Sequence, residues 1–270
     1  MPKRVLIQLD CDPQPSTFDS IVAVDAGADV LLRHGGVTPD AAVPLVHGGM
    51  FTRGGGDLAS TAIFIGGSDV AAAEAVARRV AQTFFGPVRV GVLVDPSGAN
   101  TTAAAAVVAA LRHITTGGQP SRAVVLGGTG PVGQRVGRLL ARKGLKVTLG
   151  SRSLERAEAV ARVIAEQVPG AQVSGVASHG RVSPGSPLAA VLAAADLVVA
   201  AGAAGAVLLD ATGRDAATAA RVLIDLNAVP PAGIEGIVAG DKARADGTQL
   251  LYGALGIGGT KMKIHRAAIE

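Results

Sequence analysis

The chain has 270 residues, 49% apolar and 17% charged, which suits one large domain or two modest ones and excludes a disordered polypeptide. With no Trp, one Tyr and five Phe it lacks the aromatic platforms of a single-strand nucleic-acid binder, and a formal charge of +4 spread along the chain offers no basic face to a duplex. Cys11 stands alone, so there is no internal disulfide and the reducing cytoplasm is the expected location.

Residues 1–12 run from a short apolar stretch into acids, unlike the basic, apolar, small-residue order of a signal peptide. Strands are predicted at 5–9, 62–65 and 88–94, and helices at 69–83 and 100–115. Ser16-Thr17-Phe18-Asp19 reads as a helix start, with Ser16 capping and Asp19 in the favourable first turn. Residues 115–120, rich in Thr and Gly and closed by Pro120, are the candidate boundary inside the chain. Beyond it, strands at 122–126, 145–149, 171–176, 197–201 and 222–226 alternate with helical patterns at 132–143 and 153–167, the signature of βαβ units and a parallel sheet. The apolar stretch 188–209 is long enough to span a bilayer, but Asp196 at its middle would cost about 3 kcal/mol there. A helix followed by the buried strand Leu197-Val198-Val199 is the expected reading, with no membrane association.

Directly after 122–126 comes Gly127-Gly128-Thr129-Gly130-Pro131-Val132-Gly133, which contains G-x-G-x-x-G as Gly128, Gly130 and Gly133. Between a strand and a helix this pattern reads as a dinucleotide site: Gly128 for the tight turn, Gly130 for close approach of a pyrophosphate, and Gly133 for packing the helix on the sheet. At the end of the next strand no acid is placed to hold a ribose 2′-hydroxyl. Ser151 and Arg152 stand there instead, a hydroxyl and a guanidinium suited to a 2′-phosphate, so NADP is expected, with NAD as the alternative. Ala201 and Gly202, and Asn227 before Pro230-Pro231, follow two further strands and are expected at the same edge of the sheet.

Oxidation of an alcohol would require a proton acceptor, and none is evident. Tyr252 has Gly256 where a Tyr-x-x-x-Lys pair would need lysine, no histidine stands in a relay motif, and no Cys, His or acidic cluster has metal-binding spacing. A substrate that gives up hydride without a proton fits better.

Further segments carry a resemblance. Gln8-Leu9-Asp10-Cys11-Asp12, Pro15-Ser16-Thr17-Phe18-Asp19, Asp25-Ala26-Gly27-Ala28-Asp29, Thr38-Pro39-Asp40, Phe51-Thr52-Arg53-Gly54-Gly55, Phe84-Phe85-Gly86-Pro87, Asn100-Thr101-Thr102-Ala103, Tyr252-Gly253-Ala254-Leu255-Gly256-Ile257-Gly258-Gly259 and Lys261-Met262-Lys263-Ile264-His265-Arg266 together resemble the bacterial NAD(P)-dependent methylene-tetrahydromethanopterin dehydrogenases of one-carbon metabolism and formaldehyde oxidation. The resemblance runs nearly end to end. Family members continue past the position of Glu270 through another helical segment, which leaves the contacts of an expected homo-oligomer open.

The resemblance implies an α/β protein with an N-terminal pterin-binding domain, 1–100 completed by 253–270, and a Rossmann-type dinucleotide domain, 101–252. It implies hydride transfer from methylene-tetrahydromethanopterin to NADP in the cytoplasm. Two alternatives stay open, the same reaction on methylene-tetrahydrofolate and a non-catalytic nucleotide sensor. Loss of hydride leaves a methenyl cation shared by two nitrogens, so no proton need be removed. Asp19 or Asp25 is expected to support that charge, Lys261 to approach the pterin, and Thr102 to stand beside the reaction. Gln8, Asp10, Asp12, Ser16, Phe18 and Asp25 are the expected pterin-binding residues. Thr129, Pro131 and Val132 join the three motif glycines on the nucleotide, together with Gly256 and Gly258 of a glycine loop expected to be mobile.

Overall fold

A computed structural model describes residues 2–114 and 120–270. They form two compact units, one taking the chain up to Thr101 together with Met262–Glu270, the other Thr102–Lys261. The candidate boundary at 115–120 falls almost wholly outside the described residues.

In the first unit the order is β1 (Val5–Asp10), α1 (Thr17–Asp25), β2 (Val30–His34), α2 (Pro39–Phe51), β3 (Thr61–Gly66), α3 (Val70–Thr83), β4 (Gly91–Val94) and the start of α4 (Ala99–Leu111). The strands pair in parallel in the order β2-β1-β3-β4. Alternation along β1 and β3 divides the interior. Ile7, Leu9, Ile63 and Ile65 pack with Val46 and Met50 of α2 and Val76 and Val80 of α3, whereas Leu6 and Phe64 face Ala23 of α1 and Ile269. Gln8 and Asp10 share the alternation of Leu6, which puts two polar side chains on the α1 side of the sheet, 1% and 0% exposed.

In the second unit β5 (Arg122–Leu126), α5 (Pro131–Arg142), β6 (Lys146–Ser151), α6 (Leu154–Gln167), β7 (Val173–Ala177), α7 (Pro187–Ala193), β8 (Leu197–Ala200), α8 (Ala211–Ala216) and β9 (Val222–Asp225) lead to the hairpin β10 (Lys242–Asp246) and β11 (Gln249–Tyr252), then α9 (Ala254–Ile269), which ends in the first unit. Sheet order is β10-β11-β9-β8-β5-β6-β7, with every pair parallel except β10-β11. Omitting β10, this is the doubly wound order whose direction reverses at β5 and β8, the topological switch point where such sheets bind ligands.

The structure departs from the sequence expectations in identifiable places. β2, α2, α8, β10 and β11 add to the predicted elements, and α7 is the helix expected before the strand at 197; β10 reads Lys-Ala-Arg-Ala-Asp, too charged to suggest a strand, yet it pairs along one edge with β11. The strand predicted at 88–94 shortens to Gly91–Val94 because Val88 closes a turn onto the Phe85 carbonyl. The segment 188–209 divides between α7, β8 and the following loop, and among the described residues no helix is long and apolar enough to cross a membrane. Gly256–Gly259, expected as a mobile loop, lies inside α9. Tertiary packing overrides weak helix propensity here: a Cβ at Gly256 would stand 1.8 Å from the Asp241 carbonyl oxygen, so only glycine lets the helix lie against that backbone.

Candidate functional site

At the carboxyl edge of the second sheet, β5 runs into Gly127, whose φ of +70° belongs to the left-handed region. The turn therefore falls one residue earlier than the sequence motif suggests. Gly128 is instead required by proximity, since a Cβ there would lie 2.9 Å from both the Leu149 Cβ and the Val125 carbonyl oxygen, and its N–H donates to the Gly150 carbonyl at 2.9 Å. Gly133 in the first turn of α5 packs onto the loop itself, its absent Cβ falling 2.3 Å from the Gly127 carbonyl oxygen. Gly130 N-caps α5 without a side-chain acceptor and Pro131 occupies the first turn. Nothing on the cap competes for the N–H groups of Val132 and Gly133, so an anion fits at this helix N-terminus.

Next to this loop, the Thr129 and Ser151 hydroxyls stand 3.3 Å apart, and Gln134 donates to the Thr129 carbonyl at 2.8 Å. Ser151 ends β6, and Arg152 beyond it is exposed. The Ala201 N–H continues the β5-β8 ladder onto the Leu126 carbonyl, and a Cβ on Gly127 would meet Gly202 Cα at 2.6 Å. Gly128, Thr129, Gly130, Pro131, Val132, Gly133, Ser151, Arg152, Ala201 and Gly202 are thus brought to one edge.

Asn227 is there too, but its amide is engaged locally: Nδ2 donates to the Pro231 carbonyl at 2.8 Å and Oδ1 accepts from the Val229 N–H at 3.0 Å. Asp225, which sequence reading passed over, organises that loop. It is 2% exposed and accepts N–H bonds from Asn227, Gly233 and Ile234. Burial pushes its carboxyl above the ordinary range, with those three donors opposing the shift. The available signal was an acid at the end of an apolar strand before an Asn and two prolines. Tyr252, at the end of β11, lies 2.8 Å from His113 Nε2 through its hydroxyl, and burial raises its phenol pKa. This contact ties β11 to the turn after α4. Gly256 and Gly258 lie in α9, and Gly256 faces the Asp241 backbone.

At the carboxyl edge of the first sheet a polar network builds the entry to α1. Asp10 accepts from the Asp12 N–H at 3.0 Å and the Ser16 N–H at 2.9 Å, and Gln8 Oε1 accepts from the Ser20 hydroxyl at 2.9 Å while its amide donates to the Ser16 carbonyl at 3.3 Å. Ser16 Oγ then caps the Asp19 N–H at 3.2 Å. Asp12 accepts from the Ser68 N–H and hydroxyl, joining the β1 and β3 loops. Gln8 and Asp10 therefore hold the scaffold, while the Phe18 ring is half-exposed and the Asp19 carboxylate is largely covered but not fully buried. Around Cys11, burial and the charges of Asp10, Asp12 and Asp69 raise the thiol pKa, which disfavours a thiolate nucleophile.

Asp25 does not join this cluster. It ends α1, about 9 Å along the axis from Asp19 at 1.5 Å per residue. That end of α1 adjoins Gly27, which packs on Arg4 ahead of β1, at the opposite edge of the sheet. Thr102 lies in α4, one residue after the Asn100 and Thr101 backbone N–H groups that the fully buried Asp95 clamps at 2.8 and 3.1 Å. Sequence reading missed Asp95; the Asp-Pro-Ser-Gly turn was its signal. Lys261 lies within α9, one turn before His265.

A family model described as methylene-tetrahydromethanopterin dehydrogenase, N-terminal, matches residues 17–97. The chain is 42% identical over 273 positions to "Bifunctional protein MdtA" of Methylorubrum extorquens, covering 100% of this chain and 92% of that protein. To the "NAD(P)-dependent methylenetetrahydromethanopterin dehydrogenase" of the same organism it is 32% identical, covering 97% of this chain and 89% of that one. Among solved structures, quinate dehydrogenase from Corynebacterium glutamicum in complex with NAD shares the fold at a TM-score of 0.55 and 14% identity, covering 100% of this chain and 94% of that one. Aspartate transcarbamoylase from Trypanosoma cruzi does so at 0.57 and 12%, covering 100% and 83%. Two such different chemistries on one architecture mean that the fold alone carries no activity.

Proposed function

The chain belongs to the methylene-tetrahydromethanopterin dehydrogenase family, and on that premise we propose that it oxidises methylene-tetrahydromethanopterin to the methenyl form by hydride transfer to NADP. A relative named for that activity, 32% identical over nearly the whole chain, carries the reading. The nicotinamide supplies the hydride acceptor, so the two electrons and the hydrogen leave the carrier together and no protein base is consumed. This accords with a chain whose one tyrosine lacks its lysine partner. The protein's work is alignment and electrostatic support.

In this reading the glycine loop and the N-terminus of α5 hold the pyrophosphate, and Ser151 and Arg152 take the 2′-phosphate. The support is a helix cap lacking a side-chain acceptor, together with an exposed Arg152 after the end of β6. The first unit takes the carrier. Gln8, Asp10 and Asp12 shape the pocket by fixing Ser16 and the entry to α1; Phe18 offers a ring face, and Asp19 faces the developing cation. For Lys261 the reading is a carrier-binding role, and for Thr102 a reaction-side role. We place the enzyme in the cytoplasm as a homo-oligomer without nucleic-acid or membrane partners, in keeping with its single thiol and scattered charge.

The test is an absorbance assay for reduced nicotinamide with methylene-tetrahydromethanopterin and methylene-tetrahydrofolate, each with NADP and NAD. The expected result is fastest turnover with the methanopterin carrier and NADP. Equal or faster turnover with the folate would reject the carrier assignment, and no turnover with either would reject the reaction.

A further inference from the structure

One buried imidazole has no place in the reaction as so far described. His265, in the part of α9 that belongs to the first unit, is 0% exposed. Its ring stacks on Phe64 at 5.7 Å between centroids and 27° between planes, and a tilted contact at 6.4 Å brings it to Phe18. Nε2 lies 3.9 Å from Asp19 Oδ1, within ion-pair range but beyond hydrogen-bond length. An apolar side chain would satisfy the two rings at less cost than an imidazole, whose burial disfavours its polar nitrogens unless they act on a partner.

Asp19 is an acid within ion-pair range of that imidazole. The carboxylate stands in the first turn of α1, its N–H held by Ser16 Oγ. On its other side is Gly66, where a Cβ would lie 3.7 Å from Asp19 Oδ2 and 3.4 Å from Asp10 Oδ2. Two carboxylates therefore converge on one glycine. Asp10 is stabilised by N–H donors from Asp12 and Ser16. The His265 imidazole is a side chain within ion-pair range of Asp19, its Nε2 standing 3.9 Å from Oδ1.

We propose that His265 is a positioning residue that holds the Asp19 carboxylate in orientation for its role beside the carrier. The inference rests on the reading of Asp19 given above. It assigns a task to the end of α9 that the glycine fingerprint and the carrier lysine do not perform.

His265→Phe keeps the ring between Phe18 and Phe64 but removes Nε2, whereas His265→Gln returns an amide nitrogen to about that place. His265→Phe is expected to lower kcat about tenfold with the KM for NADP changed less than twofold, and His265→Gln to recover most of the loss. In an Asp19→Asn background His265→Phe should cost less than a further twofold. A kcat for His265→Phe within twofold of wild type, an equal loss in the Asp19→Asn background, or no recovery by His265→Gln overturns the proposal. Independently of activity and of the folding of the His265 variants, the side-chain 15N resonances of His265 should shift between wild type and Asp19→Asn; unchanged resonances overturn it as well. Absence of wild-type hydride transfer would instead refute the proposed function, a result distinguishable from these.

Discussion

Replacing Gly133 with Ala tests the geometry of the dinucleotide loop most directly. The added Cβ would lie 2.3 Å from the Gly127 carbonyl oxygen and 2.8 Å from Gly128 Cα, both backbone atoms that no rotamer can move aside. Opening the first gap to the 3.4 Å at which ordinary contact begins displaces the loop or the first turn of α5 by about 1 Å. Overpacking of this kind costs about 1 to 3 kcal/mol, which in a domain of this size lowers Tm by about 2 to 12 °C. A misplacement of about 1 Å between phosphate-binding N–H groups and their ligand can also cost about 100-fold in function. Gly130→Ala is the control, because its Cβ meets the Gly127 carbonyl oxygen at 3.3 Å and requires only a few tenths of an ångström of relaxation. Tm from thermal unfolding and the NADP Kd from titration calorimetry should fall apart as a pair: Gly133→Ala loses both stability and affinity, while Gly130→Ala keeps its Tm within a degree or two and loses affinity alone. A Gly133→Ala protein with wild-type Tm and an NADP Kd within twofold would refute the packing argument.

Arg152→Ala should weaken NADP relative to NAD by about 1.5 to 3 kcal/mol, the scale of a charged hydrogen bond, and an unchanged ratio of the two Kd values would dismiss the 2′-phosphate assignment. Asp19→Asn should lower kcat at least about tenfold, as loss of a group aimed at developing charge does, while Asp25→Asn, at the far end of α1, leaves kcat within about twofold; reversed effects would move the charge-supporting role to Asp25. Asp241 is buried, accepts two bonds from Arg244 at 2.6 and 3.0 Å and one from the Val238 N–H, and is held below its ordinary value of 3.8, chiefly by Arg244. Its contribution to stability is therefore present above pH 3.8 and lost as the pH falls through its folded value; Asp241→Asn should flatten the acid limb of a Tm-against-pH curve, and an unaltered limb would refute the linkage.

Much was legible in the chain because the relevant physics is local. The apolar runs of β5, β6, β8 and β9 and the glycine loop between β5 and α5 announce a parallel sheet with a phosphate-binding turn, since each depends on residues within a few positions of one another. Ser16, Ser153 and Asp69 cap helices where short polar side chains precede helical periods. The absence of an acid after β6 and the presence of Arg152 needed only the strand's end to be known. What the residues could not disclose by themselves was which distant groups meet. Gly127 rather than Gly128 adopts the left-handed turn, and Gly128 is required instead by Leu149 of the neighbouring strand, which stands where its Cβ would be. Asp19 and Asp25 look interchangeable as acids on one helix, and separate only when α1 is laid along the sheet, one at its carboxyl edge and the other at the opposite end. His265 lies 246 positions after Asp19 and gives no sign of it; the 3.9 Å between them exists because the last turns of α9 pack on the same face of the sheet as α1. Periodicity, caps and turn chemistry are written in short stretches of chain, whereas an encounter between remote side chains is decided by how the layers pack.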